Sequence, residues 1–164
     1  IEMHLSTFAN YASTGSGLRQ FPTLYVNDWY EAADNSIQWR PFHPDSEFRN
    51  CIAFGNNANL TDFSEVILDL WDAEIYVDPL FRASAIHHQE KNFPAWMIDA
   101  QTTVNELPPF VNPALADFRI EGTASQWTGI PSTPEFSPLE VSVDLLGEPR
   151  NTLAPTKGCY ERVP

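Results

Sequence analysis

The run Thr61–Leu107, TDFSEVILDLWDAEIYVDPLFRASAIHHQEKNFPAWMIDAQTTVNEL, carries most of the readable apolar periodicity in this chain, and a proline pair closes it. Asp62 and Glu65 stand at capping-box spacing, so each side chain could satisfy a backbone N–H of a first helical turn. Val66, Ile67, Leu70, Trp71 and Ile75 then fall on one face of a helix. Leu68 breaks that stripe and the run is rich in Val, Ile and Tyr, so a strand is the competing reading. Asp78-Pro79 restarts the pattern with a cap and a first-turn proline. Leu80, Ala83 and Ile86 make a second stripe that ends near Asn92. Pro94 opens a third, with Trp96, Met97, Ala100, Val104 and Leu107, which Pro108-Pro109 stops. These signals predict two or three short helices in series over about 62–107.

The flanks read as extended. Ser36–Arg40 predicts a strand ended by Pro41, Glu47–Phe54 a weakly alternating second one, and Gly55-Asn56-Asn57 a turn. Asn112–Asp117 suits one helical turn, and Phe118–Trp127 looks extended. Leu139, Val141, Val143 and Leu145 alternate with polar residues as a half-buried strand does, and Gly147 marks a turn. The expected fold is α+β, the central helices packed on an antiparallel sheet of N- and C-terminal strands. The alternative is a β-sandwich in which Glu65–Val77 forms a strand pair. No internal repeat is read. At 164 residues the chain is expected to form a single domain, 1–164, with a flexible start (1–20) and an extended proline-rich tail (147–164).

Nine Lys and Arg against 22 Asp and Glu give a formal charge of -13. Such a chain repels phosphate backbones and anionic lipid, which argues against nucleic acid and membrane partners. No apolar run reaches the roughly 18 residues of a membrane span, and no start resembling a retained signal peptide is present. Cys51 and Cys159 are the only cysteines. A pair in an acidic, lysine-poor chain suits an oxidising compartment. Joined, they would close a long loop worth about 4–5 kcal/mol and tie the tail to the first half; the alternative is two buried thiols. Asn59-Leu60-Thr61 is an N-glycosylation sequon.

Candidate chemistry is sparse. His43, between Pro41 and Pro44 and close to Asp45 and Glu47, could serve in an acid/base cluster or a weak metal site. His87-His88 is the second candidate, although adjacent helical histidines diverge and would read as a surface pair at a helix C-terminus. Asp78-Pro79-Leu80-Phe81, His87-His88 and Trp96 resemble the second copper site of tyrosinases and haemocyanins. The spacing from Phe81 to His87 is longer than in that family, and Asn92 stands where it has Asp. Only His4 and His43 remain for a first site, so a dinuclear copper enzyme is excluded. Glycine-rich phosphate loops, nucleophile elbows and His-Glu-x-x-His are absent. Tyr25, Trp29, Tyr30 and Trp39 could form a partner- or sugar-binding surface, with Asn27 and Asp28 bonding to hydroxyls. The reading is therefore a secreted, acidic, non-catalytic accessory or structural subunit that binds a protein partner and needs no cofactor. It would be extracellular or part of a virion or similar assembly. The alternatives are a carbohydrate-binding module using the Tyr25–Trp39 aromatics, or a small secreted hydrolase or metal-dependent enzyme using His43 or His87/His88.

Overall fold

The computed structural model describes residues 2–11, 21–56, 63–89, 93–131 and 142–162. The chain coils through three sets of parallel strands. The first contains β1 (Glu2–His4), β6 (Glu47–Arg49) and β9 (Phe81–Arg82), in that order. The second runs from β2 (Thr7–Asn10) through β7 (Ile52–Gly55) and β10 (Ala85–Ile86) to β11 (Thr103–Val104). The third pairs β3 (Leu24–Asn27) with β8 (Val66–Asp69). Each pass lies beside the previous one in register, which is the architecture of a β-solenoid.

The corner between the first two sheets explains the stacking. Leu5, Asn50 and Ala83 occupy it in successive passes, all left-handed, at φ 49°, 54° and 45°. Asparagine tolerates this conformation; Leu and Ala adopt it at a cost of about 1 kcal/mol or more each. Hydrogen bonds between passes hold it: Leu5 N–H donates to Arg49 O and Asn50 N–H to Arg82 O, both at 3.0 Å. Past the corner, Ile52 N–H reaches Ser6 O and Ala85 N–H reaches Cys51 O, each at 2.8 Å. The parallel ladder thus runs through the bend.

Inside the coil, Phe48 stacks on Phe81 with centroids 4.9 Å apart, and Val26, Val66, Leu68, Ile86 and Met97 complete that core. The other side of β7, Ile52 and Phe54, meets a second cluster with Phe110, Ile120 and Trp127. Those residues come from the antiparallel hairpin β12 (Phe110–Asn112) and β13 (Asp117–Ile120) and from the single 3-10 turn Ser125–Trp127. β7 is buried on both faces, which is why its sequence shows so little alternation. On β1, β6 and β9, His4, Arg49 and Arg82 stand in register. Buried Glu47 joins them, bonded to both Nε and Nη2 of Arg49 and to His4, each at 3.0 Å. Burial pushes the Glu47 carboxyl up, but these bonds outweigh it and hold it below the usual carboxylate range.

The tail straps the coil. Gly158 N–H donates to Asn50 O at 2.7 Å, and Cys159 N–H to Thr7 Oγ1 at 3.0 Å. A side chain at Gly158 would fall 2.6 Å from Thr7 Oγ1, so only glycine fits. The Asn50 side chain bonds to both the carbonyl and the N–H of Ile130. Lys157 is fully buried, its Nζ donating to Ser84 O, Gln101 O and Thr103 Oγ1, and burial pushes its pKa down to about 8.

This fold corrects the α+β expectation. Among the described residues the helical elements are single 3-10 turns, and the central stretch enters parallel strands rather than helices on an antiparallel sheet or a sandwich. The expected first helix contains β8 and the turn Ala73–Ile75. The second contains β9 and β10, and the third the turn Ala95–Met97 and β11. The structure also holds the repeat that was not read: strand, left-handed corner, strand. Ile37–Trp39 is a strand as expected, and Pro113–Leu115 is the expected helical turn. Within the expected flexible start, residues 2–10 supply β1 and β2. Most of the Leu139–Leu145 strand lies outside the described residues, and Val143 makes a lone bridge to Pro149. Cys51 and Cys159 are free rather than bridged, and the connection expected of a disulfide is made by the backbone bonds of Gly158 and Cys159. The Cys51 thiol is buried and pushed up to about 12. No helix among the described residues is long and apolar enough to cross a membrane.

If the stacked rings carry the coil, Phe81→Ala should cost about 3–5 kcal/mol in urea unfolding, whereas exposed Leu153→Ala should stay within about 0.5 kcal/mol. A Phe81→Ala loss below about 1 kcal/mol would contradict this packing.

Candidate binding surface

Between β3 and the antiparallel hairpin of β4 (Trp29–Glu31) and β5 (Ile37–Trp39) lies Asp28, which is 1% exposed. A buried carboxylate must find donors or it is strongly destabilising. Asp28 Oδ1 accepts the Trp71 N–H at 2.7 Å; Oδ2 accepts the Tyr76 hydroxyl at 2.8 Å and the Trp39 indole N–H at 3.3 Å. Its carbonyl accepts the Arg40 N–H at 2.6 Å. One side chain therefore pins aromatic residues from separate parts of the chain. The hairpin forms locally because Asp34 accepts bonds from the Ser36 N–H and hydroxyl while Asn35 takes the left-handed turn position.

Around this hub the large side chains stay in solvent: Trp71 is 62% exposed, Trp39 49% and Tyr30 47%. Trp29 is the register partner of Trp39, and the Arg40 guanidinium lies over the Tyr30 ring, 5.5 Å from its centroid. Ile37 shares the Trp39 side of β5, and exposed Ile75 and Val77 flank Tyr76. Tyr25, on β3, is half exposed, and its hydroxyl donates to Asp69, a bond that raises its pKa to about 12. Three of the four aromatic candidates thus lie on the hairpin, the paired Trp29 and Trp39 on one face and Tyr30 with Arg40 on the other, while Tyr25 is tied to β8. Asp28 is buried and spent on the hub rather than open to a ligand, and Asn27 donates to Trp29 O at 2.7 Å. The sequence places Trp71 in a helical stripe rather than on a binding surface and does not mark Tyr76, because the partner that positions both lies far away along the chain.

Next to the hub, and sharing Tyr76, is a cleft of about 360 Å³. One wall is Pro41–Pro44, the other Ile75–Asp78, and Leu80 and Met97 form its floor. The walls are locked together, since Phe42 N–H donates to the Tyr76 hydroxyl at 3.2 Å and the two rings lie 5.2 Å apart.

The histidine candidates separate. His43 is exposed on the cleft wall, 3.3 Å from Asp45, whereas Glu47 belongs to the buried arginine cluster. His87 and His88 are buried rather than a surface pair at a helix end. His87 packs on Phe54 and His88 stacks on Phe93 at 4.2 Å. The His87 carbonyl accepts the N–H groups of Glu65 and Val66 at 2.9 and 3.0 Å, joining β10 to β8. Glu65 is fully buried beside Thr23, not at a helix cap. No group of three His, Cys, Asp or Glu able to hold a metal occurs among the described residues. The Asn59 sequon lies outside them. Comparison of the chain with protein-family models, curated proteins and solved structures finds no match in any of the three.

Burial lowers the His87 pKa; the Glu65 charge opposes this and the neighbouring His88 adds to it. With the folded value below the unfolded one, the unfolded chain binds more protons on the acid side of about pH 6.5. The stabilising effect of neutral His87 is therefore complete above that pH and is lost as pH falls toward the folded value. Urea midpoints should drop between pH 7 and pH 5, and His87→Leu should shallow that slope. An unchanged slope would show that His87 is not held neutral.

Proposed function

We propose that the protein is a non-catalytic accessory or structural subunit that binds a protein partner through Trp39, Trp71 and the neighbouring aliphatics. The observation that carries this reading is that large apolar side chains stand in solvent while a buried carboxylate fixes their backbone or indole positions. Exposed apolar clusters of this kind mark contact surfaces. Rigid Tyr and Trp supply contact area at small entropic cost, and Ile37, Ile75 and Val77 extend the surface with groups that suit a protein better than a sugar. A carbohydrate-binding module is the second reading, supported by the exposed rings of Trp39, Trp71 and Tyr25. An extracellular site, or a place in a virion or similar assembly, is proposed on the acidic, lysine-poor composition alone, since the free cysteines lend it no support.

The variant Ile37→Ala/Trp71→Ala leaves the Asp28 side-chain bonds intact, because Trp71 uses only its backbone N–H there and Ile37 bonds elsewhere through its backbone. In quantitative binding to the partner identified by cross-linking, it should lose about 2 kcal/mol or more, roughly thirtyfold, with an unchanged melting temperature. Full-strength partner binding by this variant would overturn the reading. Recognition of a glycan array in the absence of any protein partner would replace it with the carbohydrate alternative.

A further inference from the structure

We infer that the cleft between Pro41–Pro44 and Ile75–Asp78 is an anchor site for one bulky apolar side chain of a basic peptide segment. This rests on the partner-binding reading and names the chemistry of the segment recognised.

The volume, about 360 Å³, lies at the small end of the range of about 300–1,000 Å³ typical of ligand pockets. That suits a single ring or branched side chain rather than an extended ligand. Leu80 and Met97 make the floor apolar, and both are almost fully buried by the coil beneath. Methionine there is deformable and accommodates aromatic and aliphatic groups alike. The walls need no rearrangement to receive such a group. Prolines 41 and 44 stiffen one of them, and the Tyr76 hydroxyl fastens it to the other by accepting from Phe42 N–H and donating to Asp28. Preorganisation of this kind lowers the cost of binding.

The charge around the opening selects the flanking residues of the occupant. Asp78 lines the cleft itself, Glu74 and Asp72 stand one and three residues before Ile75 on the same wall, and Asp45 follows Pro44 on the other; all four are exposed. The cations nearby are largely engaged. Arg82 lies 3.4 Å from Glu47 and 3.8 Å from Asp78, Arg40 lies over Tyr30, and His43 pairs with Asp45. An acidic rim around an apolar floor, on a chain of formal charge -13, complements Lys or Arg on either side of the anchor.

The chain has two methionines, Met97 on the cleft floor and Met3 on β1, so ¹³C-methyl methionine labelling provides one reporter in the site and one control. The probes are synthetic peptides with a central leucine, phenylalanine or tryptophan between pairs of lysines, with glutamate-flanked and glycine-centred controls. The lysine-flanked peptides should shift the Met97 methyl in a saturable way and leave Met3 in place, and both controls should bind at least tenfold more weakly. Ile75→Trp, which crowds the opening, and Glu74→Lys/Asp78→Lys, which reverses the rim, should each weaken binding at least tenfold. Leu153→Ala, exposed and outside both the cleft and the aromatic surface, should bind these peptides normally. No Met97 shift at millimolar peptide, equal binding of the glutamate-flanked peptides, or indifference to both cleft variants would overturn the anchor site. Partner binding that survives the cleft variants but is lost in Ile37→Ala/Trp71→Ala would overturn the anchor site while sustaining the aromatic surface. Loss in neither set would remove both.

Discussion

A parallel strand cannot satisfy its backbone groups within its own pass, so each turn of this coil depends on the next for its hydrogen bonds. The bonds from Leu5 to Arg49, Asn50 to Arg82 and Ala85 to Cys51 are the clearest expression of that dependence, because they lie at and beside the bend where a ladder would normally stop. Non-glycine residues in left-handed backbone are unfavourable alone. Stacked, each is held by its neighbour, and the Phe48–Phe81 ring pair on one face of the sheet and the contacts of Glu47 with His4 and Arg82 on the other align the passes. Such stability is close to a sum over passes and the interfaces between them.

The tail follows from the same constraint. Each corner leaves carbonyls outside the strands that need partners, as those of Asn50 and Ser84 do. Lys157 donates into three acceptors from successive passes, and Asn50 and Gly158 hold the tail against the corner. Burying an ammonium without a bonded carboxylate is costly, and its depressed pKa is the signature of that cost. Arg150 is likewise buried, donating to the Gly158 carbonyl at 3.1 Å and lying 3.8 Å from Glu161. The tail is thus anchored by polar bonds, with Cys51 and Cys159 unbridged.

Much of this was written in the sequence in a form that periodicity misreads. Val66 and Leu68 face the core while Ile67 and Asp69 are half exposed, so Leu68, which spoiled the helical stripe, is the residue the strand requires. Asp78-Pro79 looks like a helix cap but leads into β9. The overlooked repeat is visible in Phe48-Arg49-Asn50-Cys51 and Phe81-Arg82-Ala83-Ser84, with His4-Leu5-Ser6 as a degenerate copy. Unequal intervals between copies and the different residues at the left-handed corner conceal it. The hairpin aromatics were legible as residue types. The hub was not, since Asp28 reaches Trp71 and Tyr76 across 43 and 48 residues, and no local pattern encodes such a contact.

The central claim is the register that stacks Phe48 on Phe81, and a nuclear Overhauser spectrum of the labelled protein tests it directly. The account predicts strong contacts between these two rings, together with contacts between the Arg49 and Arg82 backbones and none of the sequential amide pattern of a helix across residues 66–77. A continuous helical pattern over 66–77, with no contact between the two rings, would contradict the stacked coil and the surfaces that depend on it.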